Sequence, residues 1–290
     1  MEGVRNRARR ARGPEIVEEP VGGGLARLVP DPQRAESWEL LIDGAPQSHV
    51  DMADPTRLVF EYQRRLGHMA DLAAPPGQPL AVLHLGGGAL SIARYVAVTR
   101  PRSTQQVAEP DTRLTDLIRR ELPLPHGARV RVRAGDARDV LGRIRDGWAD
   151  LVITDVFDEA RTPAHVTSGE FLDEVRRVLR PGGTYAANVT DGPPFRHLRG
   201  QVATVRSRFT DVVLTAETPV LNGRRYGNGV LWAADRPLPL VELGHRCAAD
   251  PAPARLLVGR DLADFAAGTP PVTDATALPS PPPPLGTFEV

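Results

Sequence analysis

Leu151-Val152-Ile153-Thr154-Asp155-Val156-Phe157-Asp158 is the stretch on which the fold of this chain turns. A short apolar run ends, and two carboxylates follow three residues apart. A run this compact reads as a strand buried on both faces of a parallel sheet. Ligands of open α/β sheets bind outside the carboxyl ends of the strands. Asp155 and Asp158 therefore belong at the mouth of a pocket, facing a cation or a group that loses a proton.

The same alternation of apolar run and helical segment extends in both directions. Upstream, Leu80-Ala81-Val82-Leu83-His84-Leu85 is a strand, Gly86-Gly87-Gly88 its turn, and residues 89–99 a helix. Gln105-Gln106-Val107-Ala108 is a strand ending at Glu109, followed by a helix over 111–121. Val130-Arg131-Val132 leads to Gly135-Asp136, with a short helix over 140–145. Downstream, a helix over 169–179 stops at Arg180-Pro181-Gly182-Gly183 and a fifth strand covers 184–189. A helix over 198–209 and strands at 212–216 and 229–234 complete the series, and residues 57–70 form a helix before it. Repeated strand–helix units at this spacing predict an α/β fold: a Rossmann-like, doubly wound, mostly parallel sheet over residues 55–245. Residues 20–54 read as a small N-terminal β-hairpin unit, with strands at 25–29, 38–42 and 47–50 and a turn at Asp43-Gly44. Residues 1–19 read as a disordered tail with an Arg-rich arm, and 246–290 as an extension ending in a Pro-rich, surface-hugging tail.

Composition narrows the function. Net charge is zero, so bulk electrostatics favours no nucleic-acid partner. All 36 basic residues are arginine, which excludes Schiff-base lysine chemistry and a P-loop lysine. Cys247 is the only cysteine, which excludes an intrachain disulfide and suits a reducing compartment. No apolar run reaches membrane-spanning length and no signal-peptide core follows Met1. A soluble cytoplasmic protein without membrane contact is expected. The seven histidines lack ligand spacing, so no metal is expected, and no Gly-x-Ser-x-Gly elbow supports a serine hydrolase.

Four candidate groups fall at the ends of four successive strands: Gly86-Gly87-Gly88, Glu109, Asp136 with Ala137, and Asp155. Glycines let a backbone approach a ligand closely before a helix N-terminus. Glu109 lies 21 residues after Gly88, where an acid holds a ribose diol. Asp136-Ala137 suits an adenine amino group and its neighbours. Glu109 equally suits a cap of the helix that follows it, and Asp136 a cap of the next. The turn is not Gly-x-Gly-x-x-Gly, and acids after strands two, three and four favour an S-adenosylmethionine-type ligand over NAD.

Residues 38–235 resemble the spermidine synthase family of aminopropyltransferases, which share the class I methyltransferase fold. Ile42-Asp43-Gly44-Ala45-Pro46-Gln47 resembles its Leu-Asp-Gly-x-x-Gln hairpin, and Phe60-Glu61-Tyr62-Gln63 with His68 its Phe-x-Tyr-Gln…His segment. Asp150 to Asp158 resembles its Asp-x-Ile-x-x-Asp-x-x-Asp signature, and Tyr226-Gly227-Asn228-Gly229 its late Tyr-Pro-x-Gly segment. The resemblance implies transfer of an aminopropyl group from decarboxylated S-adenosylmethionine to a small polyamine. It implies Asp155, Asp158 and Tyr62 as catalytic residues. Gln47, Gly86, Gly87, Gly88, Glu109, Asp136 and Ala137 would bind the nucleoside donor, and Gln63, Asp158 and Tyr226 the amine. It implies a loop over 159–168 that closes the site, and a homodimer to which Trp38 and Phe60 contribute.

Two departures stand out. Gly86-Gly87-Gly88-Ala89-Leu90 replaces the family's Gly-Gly-Gly-Asp-Gly, and Ala89 cannot bind the amino end of the aminopropyl chain as that Asp does. Glu159 replaces a usual Pro. Loss of the Asp leaves two rivals: a methyltransferase using S-adenosylmethionine itself, and a non-catalytic relative. His165 reads as a surface residue of the loop. Asn188, Thr190 and Asp191 read equally as amine-pocket residues or as a turn.

Overall fold

The computed structural model describes residues 15–158 and 160–284. The Arg-rich arm from Arg5 to Arg12, Glu159 and the last six residues lie outside them. Four antiparallel strands open the chain: β1 Val17–Val21, β2 Gly24–Pro30, β3 Ser37–Ile42 and β4 Ala45–Asp51. Residues 17–19, expected in the tail, thus belong to the β unit. Val17 pairs with Leu28 across a hairpin that turns at Gly22-Gly23, and Glu18 and Glu19 reach Arg27 and Arg120 at 2.7 and 2.6 Å.

The rest alternates: α1 Glu61–Leu72, β5 Ala81–Leu85, α2 Ser91–Thr99, β6 Thr104–Glu109, α3 Thr112–Glu121, β7 Arg129–Ala134, α4 Ala137–Gly142, β8 Ala149–Thr154, α5 Gly169–Val178, β9 Leu179–Asp191, α6 Arg196–Arg206, β10 Asp211–Glu217, α7 Thr218–Leu221, β11 Gly227–Ala234, α8 Leu240–Ala249, β12 Ala254–Leu257 and α9 Gly259–Ala266. The large sheet has the order β12-β10-β11-β9-β8-β5-β6-β7. Strands β5 to β9 run parallel, and β11 is antiparallel to both β9 and β10. Strand order reverses between β5 and β8, which puts the ligand crevice at the carboxyl ends of those two strands.

Period-two alternation divides the core. Leu83, Leu85, Val152, Ala187 and Leu231 face the cluster under α4, α5 and α6. Val82, Leu151, Ile153, Ala186 and Trp232 face the cluster under α1 and α8. Both faces are covered, so each central strand is apolar throughout. Local signals set the helix ends. Asp111 accepts from the backbone N–H of Arg113 and Leu114, and Arg119 and Arg120 close the last turn of α3. Asp136 caps α4 in the same way, so that helix starts at Ala137 rather than at 140.

The N-terminal sheet is not a detached unit. Ala26, Leu28, Leu40 and Val50 pack with Ala89, Leu90 and Ala93 of the glycine turn and α2, and with Leu114 and Leu117 of α3. The C-terminal extension is integrated as well: β12 pairs with β10 as the eighth strand. The segment after α9 is strapped to the loop between β8 and α5. Asp274 takes both terminal nitrogens of Arg138 at 2.8 and 2.7 Å, and Gly169 N donates to Val272 O at 2.9 Å. Ser280, fully buried, donates its N–H to Thr162 O at 2.9 Å, while Thr162 N donates to Ser280 Oγ at 2.8 Å and Arg161 Nε to Ser280 O at 2.6 Å. No helix among the described residues is long and apolar enough to cross a membrane.

Candidate active site

A cavity of about 590 Å³ opens at the β5/β8 switch point. Gln47, Tyr62, Gly86, Gly87, Gly88, Glu109, Asp136, Asp155 and Asp158, all expected at the site, line this one cleft. The glycine turn is required by sterics. Gly86 has φ +99°, and a Cβ there would overlap the backbone carbonyl of Asp155. A Cβ at Gly87 would lie 2.9 Å from Glu109 Oε2. The turn is thus pressed between the ends of β6 and β8.

Glu109 accepts from Gly87 N at 3.1 Å and from Asp111 N at 2.9 Å. Burial lifts its carboxyl above the ordinary range, against the pull of those backbone donors. Asp136 both caps α4 and faces the cleft: Oδ1 accepts from Arg138 N at 2.8 Å and Oδ2 from His165 Nε2 at 2.7 Å. His165 is therefore a cleft residue tied to the expected adenine end, not a plain surface residue.

Asp155 continues β8 past its last formal residue, its N–H donating to Leu85 O at 2.8 Å. Burial raises its carboxyl from 3.8 to about 6, and the hydrogen bond from Asn188 Nδ2 to Oδ1, at 3.0 Å, opposes that rise. Tyr62, at the start of α1, donates its hydroxyl to Gln47 O at 3.2 Å. Burial and the nearby Asp155 charge hold its phenol well above the usual range, so it stays neutral. Asp158 is exposed at the rim, in a turn where its N–H and Arg161 N–H exchange bonds with each other's carbonyls at 2.8 and 2.9 Å.

Three expected residues fall elsewhere. Ala137 is buried in the core beside Val140 and Leu141. Gln63 lines a smaller adjoining cavity. Tyr226 lies in another cavity, between Gly192, α6 and the C-terminal segment, because its ring packs on Gly192 at the end of β9. Asp111, Ser48 and the Gly22-Gly23 turn line the cleft without having been singled out. Asp111 carries a legible signal, a capping acid directly after Glu109-Pro110. Ser48 carries none.

Glu109, Asp111, Asp136, Asp155 and Asp158 face one cleft in which His165 is the one basic side chain among the described lining residues. Such a surface suits a cation and offers nothing to a carboxylate. The sequence model of the spermine/spermidine synthase domain matches residues 59–214, more than half of the chain. The chain belongs to the spermine/spermidine synthase family. It is similar to a probable spermidine synthase from Corynebacterium glutamicum, at 32% identity and a TM-score of 0.84, over 90% of this chain and 96% of that one. It is similar to a polyamine aminopropyltransferase of Chromobacterium violaceum, 26% identical over 147 residues, or 50% of this chain and 55% of the relative. The chain spans about half the length of the curated relatives it matches. Human methyltransferase-like protein 13, in complex with SAH, shares the fold at a TM-score of 0.52 and 19% identity, over 71% of this chain and 92% of that one.

Within the spermine/spermidine synthase family, the exchange at position 89 has a structural consequence. Ala89 is fully buried, and its neighbours are the apolar side chains of the N-terminal sheet and α2. Leu90, where the family has Gly, adopts φ +61°, the left-handed conformation that glycine favours. The backbone bend of the family turn is kept, while the side chain at 89 serves the core.

Proposed function

We propose that this chain transfers an aminopropyl group from decarboxylated S-adenosylmethionine to a small di- or polyamine. The observation that carries this reading is Asp155: a carboxylate at the switch point, raised to about 6 by burial, in a cleft lined by acids. The nucleoside would lie between the glycine turn, Glu109 and Asp136. The amine nitrogen attacks the carbon next to the sulfonium, the C–S bond breaks, and methylthioadenosine leaves with the electron pair. The nitrogen proton passes to Asp155, which at neutral pH is largely ionised and is a stronger base than an ordinary carboxylate. Tyr62, fixed by its bond to Gln47, orients the amine, and Asp158 at the rim holds the ammonium form or a distal amine. The loop between β8 and α5 covers the site from water. We assign no role in transfer to Ala137 or Tyr226.

Release of methylthioadenosine from decarboxylated S-adenosylmethionine with putrescine or a longer amine tests the reading. Amine-dependent release that vanishes in Asp155→Asn, with nucleoside binding kept, is expected. Demethylation of S-adenosylmethionine instead would overturn it in favour of methyl transfer. Binding of neither donor would leave the fold as a non-catalytic relative.

A further inference from the structure

Behind the glycine turn lies a second, small cavity of about 30 Å³. It adjoins the main cleft, sharing Ser48, Gly86, Gly87 and Asp155 with it. Its volume suits one water-sized group. The hydrogen-bonding sense of its walls follows from their partners. Tyr62 has one hydroxyl hydrogen and gives it to Gln47 O, so Tyr62 accepts from Gln63 Nε2 at 3.4 Å. That fixes the Gln63 amide with Oε1 as the free end. Gln63 is 2% exposed, and Oε1 is buried without a partner. A buried acceptor in this state is costly unless something donates to it.

The neighbouring walls are fixed in the same sense. Gln105 Nε2 donates to Ala93 O at 2.9 Å, so Gln105 Oε1 accepts from His84 Nε2 at 2.8 Å. His84 is then neutral with Nδ1 as an acceptor, and burial pulls its value down to about 4. Ser91 spends its hydrogen on His49 O at 2.9 Å. One oxygen of Asp155 takes Asn188, leaving the other. The cavity is lined by acceptors and one carboxylate, with no cationic side chain among the described lining residues.

We infer that this cavity is the recognition site for the terminal ammonium of the donor, read by Gln63 Oε1 and Asp155. It rests on the reading above and deepens it, since it names how the donor is chosen although Ala89 has turned into the core. An ammonium brings three donors to walls that lack them. The tail of intact S-adenosylmethionine also carries a carboxylate, which finds no cation here, meets the charge of Asp155, and exceeds a water-sized space. The decarboxylated donor is selected by the cavity rather than by an acid on the glycine turn. His84 and Gln105 act as positioning residues that keep the wall accepting.

Calorimetric binding of decarboxylated S-adenosylmethionine, S-adenosylmethionine and methylthioadenosine to the full chain, to Gln63→Leu and to Gln63→Glu tests the inference. Methylthioadenosine lacks the tail and reports nucleoside binding and folding in each variant. In the parent, the decarboxylated donor is expected to bind tighter than the other two. Gln63→Leu should weaken it about tenfold or more, the loss of a bond to a charged group, with methylthioadenosine unchanged within about twofold. Gln63→Glu should keep the preference. A parent that favours the decarboxylated donor, with a Gln63→Leu variant that favours it equally, overturns this assignment and leaves the proposed transfer standing. A parent that favours S-adenosylmethionine, or that binds no nucleoside, overturns both.

Discussion

Replacing Asp155 by Asn is expected to stabilise the folded chain at neutral pH while abolishing transfer. Burial carries the Asp155 carboxyl from 3.8 to about 6, and the Asn188 amide offsets only part of that rise. A value raised by folding means that the folded chain holds the proton more tightly than the unfolded one. The corresponding stability is fully present below about 3.8 and is lost as pH climbs through about 6. At about 1.4 kcal/mol per pKa unit, the displacement comes to about 3 kcal/mol. Asn at this position does not titrate, and its carbonyl can still accept from Asn188 Nδ2, now 3.0 Å from Oδ1. The variant should therefore gain on the parent by up to about 3 kcal/mol between about pH 4 and pH 7. Urea unfolding of both proteins across that range, at constant denaturant slope, measures it. Parallel stability curves would refute the reasoning, because they would mean that Asp155 ionises as freely in the fold as in the open chain.

Asn188→Leu removes the amide that supports the Asp155 charge, a bond worth about 1.5–3 kcal/mol, or one to two pKa units. The acidic limb of the turnover profile, expected near pH 6, should move up by that amount, with activity recovering at alkaline pH; a deficit flat across pH would remove Asp155 as the base. Ala89→Asp restores the family residue yet places a carboxylate among buried apolar side chains. It should cost more than about 2 kcal/mol in urea unfolding and leave affinity for the decarboxylated donor no higher. Asp274→Ala should expose the loop between β8 and α5 to faster limited proteolysis, read by mass spectrometry, with less than about 1 kcal/mol lost globally because the Arg138 pair is half exposed. Hydrogen bonds from Arg138 and Ser168 hold Asp274 down at about 2, so this tether persists well into acid and fails only as pH falls through that value.

Much of the site is legible in the sequence because its residues sit at strand ends. The run from Leu151 to Thr154 stops where the sheet stops, so Asp155 is delivered to the crevice by a count along the chain. The same holds for Gly86 after β5, Glu109 at the end of β6 and Asp136 after β7. Each needs only a local pattern and the handedness of strand–helix–strand connections. The cap at Asp136 is likewise a local signal, and in the fold it coexists with a cleft-facing role rather than excluding one.

Relations across the chain are not legible in the same way. Ala89 visibly differs from the family residue, but its burial depends on Ala26, Leu40 and Val50, which the N-terminal sheet brings from more than 35 residues away. Tyr226 matches the family segment in type and order, yet the turn of β9 into Gly192 carries it to another cavity. The residues after α9 read as a loose Pro-rich tail, while Ser280 and Asp274 clasp a loop more than 100 residues earlier. Composition and periodicity report what a segment buries and where it ends, because those depend on neighbours in sequence. Which acceptor is left without a donor, as at Gln63 Oε1, is decided by hydrogen-bond partners from separate strands and helices, and only the closed tertiary structure brings them together.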